Sequence, residues 1–306
     1  MKDIYVSCCS ENGGIQHYTF ENGVLTLADT EYIKKPMYTV LDGDIMHVII
    51  KELDAEGGGA LTYRIDGDGR LCDRSQIIST LGLVPCHHHL KNGKEYVVNY
   101  VSGSIVRLPD VIKTHSGRGV HPTRQEKAHT HFVTSAPDGR ILCTDLGIDK
   151  IVIYDDDLNE ISHIRLHDGA GPRHLVFSKD GNTLYCANEL EPSVSVIDYK
   201  QKKVVNTYPL PQGTAAAIRL NGDDLYVSVR GSDVIVRFKT VADTLIQQEI
   251  TEVRGCYPRD FDIFDGYVIC TNERSDNVTV FELIDGRPEY RYTVNTLPEP
   301  LCVIAK

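Results

Sequence analysis

An all-β chain built from about seven repeats of a four-stranded unit is what this sequence predicts. Three observations carry the prediction. First, one phrase recurs: an alternating apolar stretch, an Asp-Gly or Asn-Gly turn, an apolar run ending in a polar residue, then a second alternating stretch. It reads FVTSAPDGRILCTDLGIDKIVIYD at 132–155 and HLVFSKDGNTLYCANELEPSVSVIDY at 174–199. Second, the equivalent residues Asn99, Asp145, Asn188, Val229 and Asn272 recur at a spacing of about 43 residues, which suits four short strands per unit. Third, the two ends are complementary. LPEPLCVIAK reads as a first strand with no second, and DIYVSCCSENGGIQHYTF as a second and third with no first. A seven-bladed β-propeller of antiparallel blades follows, a single domain over 1–306 in which the terminal strands share one blade. Such closure pairs terminal strands whose edges would otherwise stay open.

The period-two alternation and hairpin turns exclude a helical solenoid, and a chain with no Trp is no WD40 repeat. The first strands should start near Pro36, Pro85, His129, Pro172, Gly213, Pro258 and Pro300. Further copies are HHLKNGKEYVVNYVSGSIVRL at 88–108, AIRLNGDDLYVSVRGSDVIVRF at 217–238 and DFDIFDGYVICTNERSDNVTVF at 260–281. A degenerate one is YTVLDGDIMHVIIKELDAEGGGALTYRI at 38–65.

Composition narrows the function. The 306 residues carry a net charge of −11, which argues against nucleic acid or an anionic membrane as partner but admits a small anion in a locally basic pocket. No apolar run approaches the ~20 residues of a membrane span, and the short apolar N-terminal stretch alternates like a strand rather than a signal peptide. A cytoplasmic protein, monomeric or weakly self-associating, is expected. Nine cysteines without a CxxC, mostly inside strand-like runs, read as reduced core residues. Only Cys86, at a strand start, is placed to be a nucleophile. No GxSxG, GxGxxG or Walker sequence appears, so no nucleotide cofactor is expected.

In a hairpin, the start of the first strand and the end of the second share one end. Around a propeller these ends line one mouth of the channel. The first-strand starts would bring Cys86/His87, His129/His131, Arg173/His174 and Arg259/Asp260 there. The second-strand ends would bring Glu52, Asn99, Asp145, Glu189, Arg230 and Glu273/Arg274. A long connection at 109–128, which carries Arg124, joins the third and fourth blades, and long loops are disproportionately functional. Arginine forks suit phosphate or carboxylate, and histidine suits activation of water. His129 and His131, two apart on a strand, should face the same way. They could hold a metal, but no local motif completes a ligand set, so none is expected. His88 should pack between blades.

GRGVHPTRQEKAHTHFVTSAPDGRILCTDLGIDKIVIY and GAGPRHLVFSKDGNTLYCANEL, with PCH at 85–87, VNYVSGS at 98–104, VRGSD at 229–233 and YPRDF at 257–261, resemble the seven-bladed lactonase propellers. That family includes the propeller-type 6-phosphogluconolactonases and the 3-carboxy-cis,cis-muconate lactonising enzyme. The resemblance is specific from about residue 85 to 283 and diffuse before residue 80. It implies a metal-free enzyme acting on lactones. A His, two Arg and a Glu at the mouth correspond to His131 (with His129 competing), Arg173, Glu189 and Arg230. The implied reaction is hydrolysis of 6-phospho-D-glucono-1,5-lactone. His131 would activate water, Arg173 would stabilise the oxyanion, and Glu189 would orient the histidine or shuttle a proton. Arg124, Arg230 and Arg259 would hold phosphate, with His87, His129, His174, Asn99 and Asp145 contributing to binding. Action on another lactone or a muconate-type dicarboxylate, and a non-catalytic binding propeller, are the alternatives.

Overall fold

In a computed structural model describing residues 1–53 and 57–306, every regular element is a strand. Residues 54–56 of the degenerate copy lie outside the described residues. Seven antiparallel sheets form a closed ring, their inner strands touching in order. We number the blades along the chain. Blade 1 takes its inner strand, Pro300–Ala305, from the C-terminus and its other three, Lys2–Cys8, Gly14–Glu21 and Val24–Tyr32, from the N-terminus. The inner strands of blades 2 to 7 are Pro36–Asp42, Pro85–Lys91, Thr130–Ser135, Pro172–Phe177, Thr214–Asn221 and Pro258–Phe264.

Local chemistry explains the hairpins. Asn22-Gly23, Asn92-Gly93 and Asp265-Gly266 carry positive φ at both positions, 52° and 79° in the first pair. That is the type I′ geometry whose twist matches the flanking strands. The middle strands are buried on both faces and pack blade against blade. Leu142, Ile153, Leu184 and Ile197 fill the seam between blades 4 and 5. Ile4, Val6, Ile269 and Val280 seal the one between blades 7 and 1. Each such side chain contributes about 1.5–3 kcal/mol.

Three details differ from the expectation. The segment 109–128 is not all loop, because Val111–Thr114 is the outer strand of blade 3. Blade 2 has a divided outer strand, Leu71–Cys72 and Ile78–Ser79, both pairing with Gly59–Ile65. In blade 6 it is Arg230, not Val229, that pairs as Asn99 and Asn188 do in theirs, opposite Thr214.

The pairing reveals a repeated device. The register of every inner strand slips against its neighbour near its start. The residues left unmatched are Met37, Cys86, His131, Arg173, Arg259 and Leu301, with Ala216 and Ala217 together in blade 6. A β-bulge re-aims a side chain out of the alternating pattern. In six blades the bulge leaves one residue that lines the cavities of the channel, namely Met37, Cys86, His131, Arg173, Arg259 or Leu301. In five blades the residue just before the bulge is proline, at 36, 85, 172, 258 and 300. Proline has no N–H to give a ladder and so sits at strand starts and bulges.

Candidate active site

A cavity of about 310 Å³ opens at the mouth where the inner strands begin. The bulge ring supplies Met37, Cys86, His131 and Arg259 to its wall. The residues one past the second-strand ends supply Lys51, Tyr100 and Glu189; Arg230 ends its own strand, and Tyr257 precedes the inner strand of blade 7. Arg124 arrives from the connection between blades 3 and 4. Its neighbour Gln125 is fully buried and fixes that loop, donating to Leu146 O (2.8 Å) and Asp149 Oδ1 (2.7 Å).

Glu189 is the hub. Arg124 donates to its Oε1 at 2.5 Å, while Arg173 (3.0 Å) and Arg230 (2.9 Å) converge on Oε2. Burial alone would raise its pKa. The surrounding cations, Arg230 and Arg173 foremost, win and hold it well below the carboxylate range. Burial followed by Arg230 lowers Arg173 to about 9, which leaves it charged at neutral pH.

His131 is the contrasting group. Burial, reinforced by Arg173, drives its pKa well below 6.5, so the imidazole is neutral. Its buried Nδ1 has no hydrogen-bond partner among the described residues. A neutral, uncommitted imidazole beside a cavity rich in guanidinium groups can take a proton from water. The buried Nε of Arg230 also has no partner among the described residues, and its guanidinium carbon lies 5.1 Å from the Tyr257 ring centroid. Arg259 pairs with Glu273 at 3.1 Å.

Several expected residues lie elsewhere. His129 and His131 do not share a face, because the bulge at His131 breaks the alternation. His129 lies behind the wall, its ring stacked on Tyr100 at 4.5 Å and its nitrogens facing Tyr100 O and Glu126. His87 and His174 follow the bulges rather than occupying them. With Tyr38 and Phe132 they form an aromatic belt across the channel, with successive centroids 4.4, 4.1 and 4.7 Å apart. Asn99 and Asp145 turn into their own blades. Asn99 donates to Thr80 O and Ser104 Oγ, and Asp145 accepts from the His129 and Gly147 amides and meets His115 at 2.6 Å. Strand-end backbone groups need such partners, which is why these side chains do not reach the cavity. Arg173 lines a narrow cleft beneath the cavity with His174 and Asp260. Glu52 pairs with Lys35 at the surface. His88 packs as expected, fully buried and sharing Glu95 with His47 of blade 2. Cys86 does face the cavity, but burial pushes its thiol up to about 12, the opposite of what a nucleophile needs.

Lys51, Tyr100, Tyr257 and Met37 were not anticipated. Lys51 and Tyr100 occupy in blades 2 and 3 the place Glu189 holds in blade 5, so the repeat itself pointed to them. Tyr257 opens the YPRDF phrase, immediately before the proline of its blade's bulge.

Residues 3–305 match the family model described as lactonase, seven-bladed beta-propeller. The chain belongs to that family. An uncharacterized protein of Staphylococcus aureus is 30% identical over 345 residues, covering 99% of this chain and all of the relative. The periplasmic gluconolactonase of Pseudomonas aeruginosa is 26% identical with a TM-score of 0.89, covering 99% of this chain and 98% of that one. A Lactobacillus plantarum protein of solved structure is 27% identical, with the same TM-score and full coverage of both chains. A putative 6-phosphogluconolactonase of Bacteroides fragilis, at 22% identity and TM-score 0.90, shares the fold.

Proposed function

We propose that this lactonase-family propeller hydrolyses a sugar lactone, with 6-phospho-D-glucono-1,5-lactone as the substrate. The observation that carries the reading is the neutral, uncommitted His131 beside a cavity that also presents Arg124, Arg230, Arg259 and Lys51. His131 removes a proton from water as its oxygen attacks the carbonyl carbon. The tetrahedral oxyanion then lies against Arg230, a guanidinium that lines the cavity. A donor aimed at such an oxyanion contributes about 3–4 kcal/mol. Lys51 and Arg259, which also line the cavity, meet the phosphate.

Glu189 takes a different part from a proton shuttle. Three arginines occupy its oxygens and keep it ionised, so it fixes their positions. Arg173, beneath the cavity, acts through Glu189. The similarity to the Pseudomonas gluconolactonase supports the unphosphorylated lactone as a second reading.

The test is hydrolysis of freshly prepared 6-phosphogluconolactone and of gluconolactone by purified protein, with and without EDTA, against the spontaneous rates. Faster turnover of the phosphorylated lactone that survives EDTA is expected. Preference for gluconolactone would select the second reading, and no acceleration of either would overturn the assignment.

A further inference from the structure

We propose that Tyr100 is the catalytic acid that protonates the leaving ring oxygen, an inference that rests on the lactone reading above. Opening a lactone expels an alkoxide, which needs a proton as the C–O bond breaks. Two obvious donors are removed by their surroundings. Glu189 is a carboxylate held among three arginines. The Cys86 thiol is turned toward backbone carbonyls, the nearest being His131 O at 3.3 Å.

Tyr100 is placed for the task. It stands one residue past the second strand of blade 3, with its amide bound to Val84 O at 2.9 Å, and it lines the cavity. Its ring is clamped face to face on His129, 17° from parallel, and that imidazole is in turn held by Tyr100 O and Glu126 Oε1, each at 3.0 Å. Arg124 Nη2 donates to the Tyr100 hydroxyl at 3.2 Å. The hydroxyl therefore already accepts a hydrogen bond, and among the described residues its own proton has no acceptor. Burial keeps the phenol protonated at neutral pH. The edge of His131 meets the same ring at a centroid distance of 5.8 Å and an angle of 83°, so acid and base stand side by side.

The protons balance. His131 takes one proton as the water oxygen bonds to the carbonyl carbon. The tetrahedral intermediate collapses, the ring C–O bond breaks, and its electron pair passes to the ring oxygen, which takes the Tyr100 proton. The tyrosinate, stabilised by Arg124, recovers a proton from imidazolium His131. The sum is addition of one water, and both residues return to their starting states.

The experiment is Tyr100→Phe assayed on two kinds of lactone, one expelling an aliphatic alkoxide (gluconolactone or its 6-phosphate) and one expelling a phenolate (dihydrocoumarin). A phenolate leaves without help. The variant should therefore lose about 100-fold or more in kcat on the alkoxide lactones and only a few-fold on dihydrocoumarin. Equal losses on both would assign Tyr100 to supporting Arg124 and overturn the proposal. So would unchanged kcat on the alkoxide lactones, which leaves imidazolium His131 as the donor. A wild-type protein inactive on every lactone would overturn the lactone reading and this inference with it. Tyr100→Ala, with His129 unclamped, should be worse than Tyr100→Phe on both kinds of lactone.

Discussion

The same seven inner strands build both ends of the central channel, and the two ends differ in kind. At the mouth, bulged positions present His131 and Arg259, with Arg173 just beneath, and the strand-end neighbours add Glu189, Lys51 and Tyr100. Toward the opposite end lies a second cavity of about 350 Å³. Tyr38, His87 and Phe132 line it from regularly paired positions, along with Arg219. There the arginine is neutralised, since Arg219 bonds Asp260 at 2.7 Å, and burial pushes the Asp260 carboxyl up while Arg219 opposes it. At the mouth the cations outnumber the acids. The charged and imidazole side chains of the mouth thus come from strand ends, one connection and two of the bulges. A bulge changes which way a side chain points: it sends His131 and Arg259 to the cavity wall, while bulged Leu301 packs into the core.

Substitution of one histidine from each end should give the largest and most unequal effects. His131→Gln should lower kcat by about 10³-fold, the range of a lost general base, while His87→Gln should stay within a few-fold of wild type. Steady-state kinetics on the preferred lactone measure both. Comparable losses would make the aromatic belt part of the catalytic machinery.

Arg230 gives the next largest effect. Arg230→Ala should cost about 10²- to 10³-fold in kcat, as for the loss of one oxyanion donor, with Arg230→Lys recovering part of it. An effect confined to KM would reassign Arg230 to substrate binding.

Protons sharpen the comparison through an effect the two ends share. His87, His131 and His174 all have pKa values lowered well below 6.5, by burial first and neighbouring cationic or imidazole groups second. Below pH 6.5 the unfolded chain binds protons that the native protein refuses, so stability must fall as pH drops. Each histidine contributes a slope of up to about 1.4 kcal/mol per pH unit. The lowered Glu189 acts in the same direction at lower pH, where its contribution is lost as pH falls toward its native value. Urea denaturation between pH 7 and pH 5 should show the decline. His131→Gln and His87→Gln should each reduce the slope by about one proton, despite their unequal effects on catalysis.

Much of this was legible in the chain. Blade count, inner-strand starts and closure by the termini follow from turn chemistry and a period of strands, both local properties. His131, Glu189, Arg230, Arg124 and Arg259 were named from the repeat and the resemblance, and all five line one cavity. Asn99, Asp145, His87, His129 and His174 were named by the same logic and do not line it. Strict alternation cannot tell a bulged residue from its neighbour, because a bulge shifts the facing by one position and its cost and benefit are settled by the adjoining strand. The prolines before Met37, Cys86, Arg173, Arg259 and Leu301 were the available sign, since proline cannot donate to the ladder there.

The sequence by itself determined which segments become strands, how many blades they make and which residue types gather at each strand end. The folded arrangement settled which of two adjacent side chains enters the channel, that Glu189 is locked by arginines from three segments of the chain, and that the Tyr100 hydroxyl meets Arg124. These outcomes depend on contacts between neighbouring strands and blades, from the 16 residues that separate Arg173 from Glu189 to the 65 between Arg124 and Glu189, where packing, desolvation and charge act together.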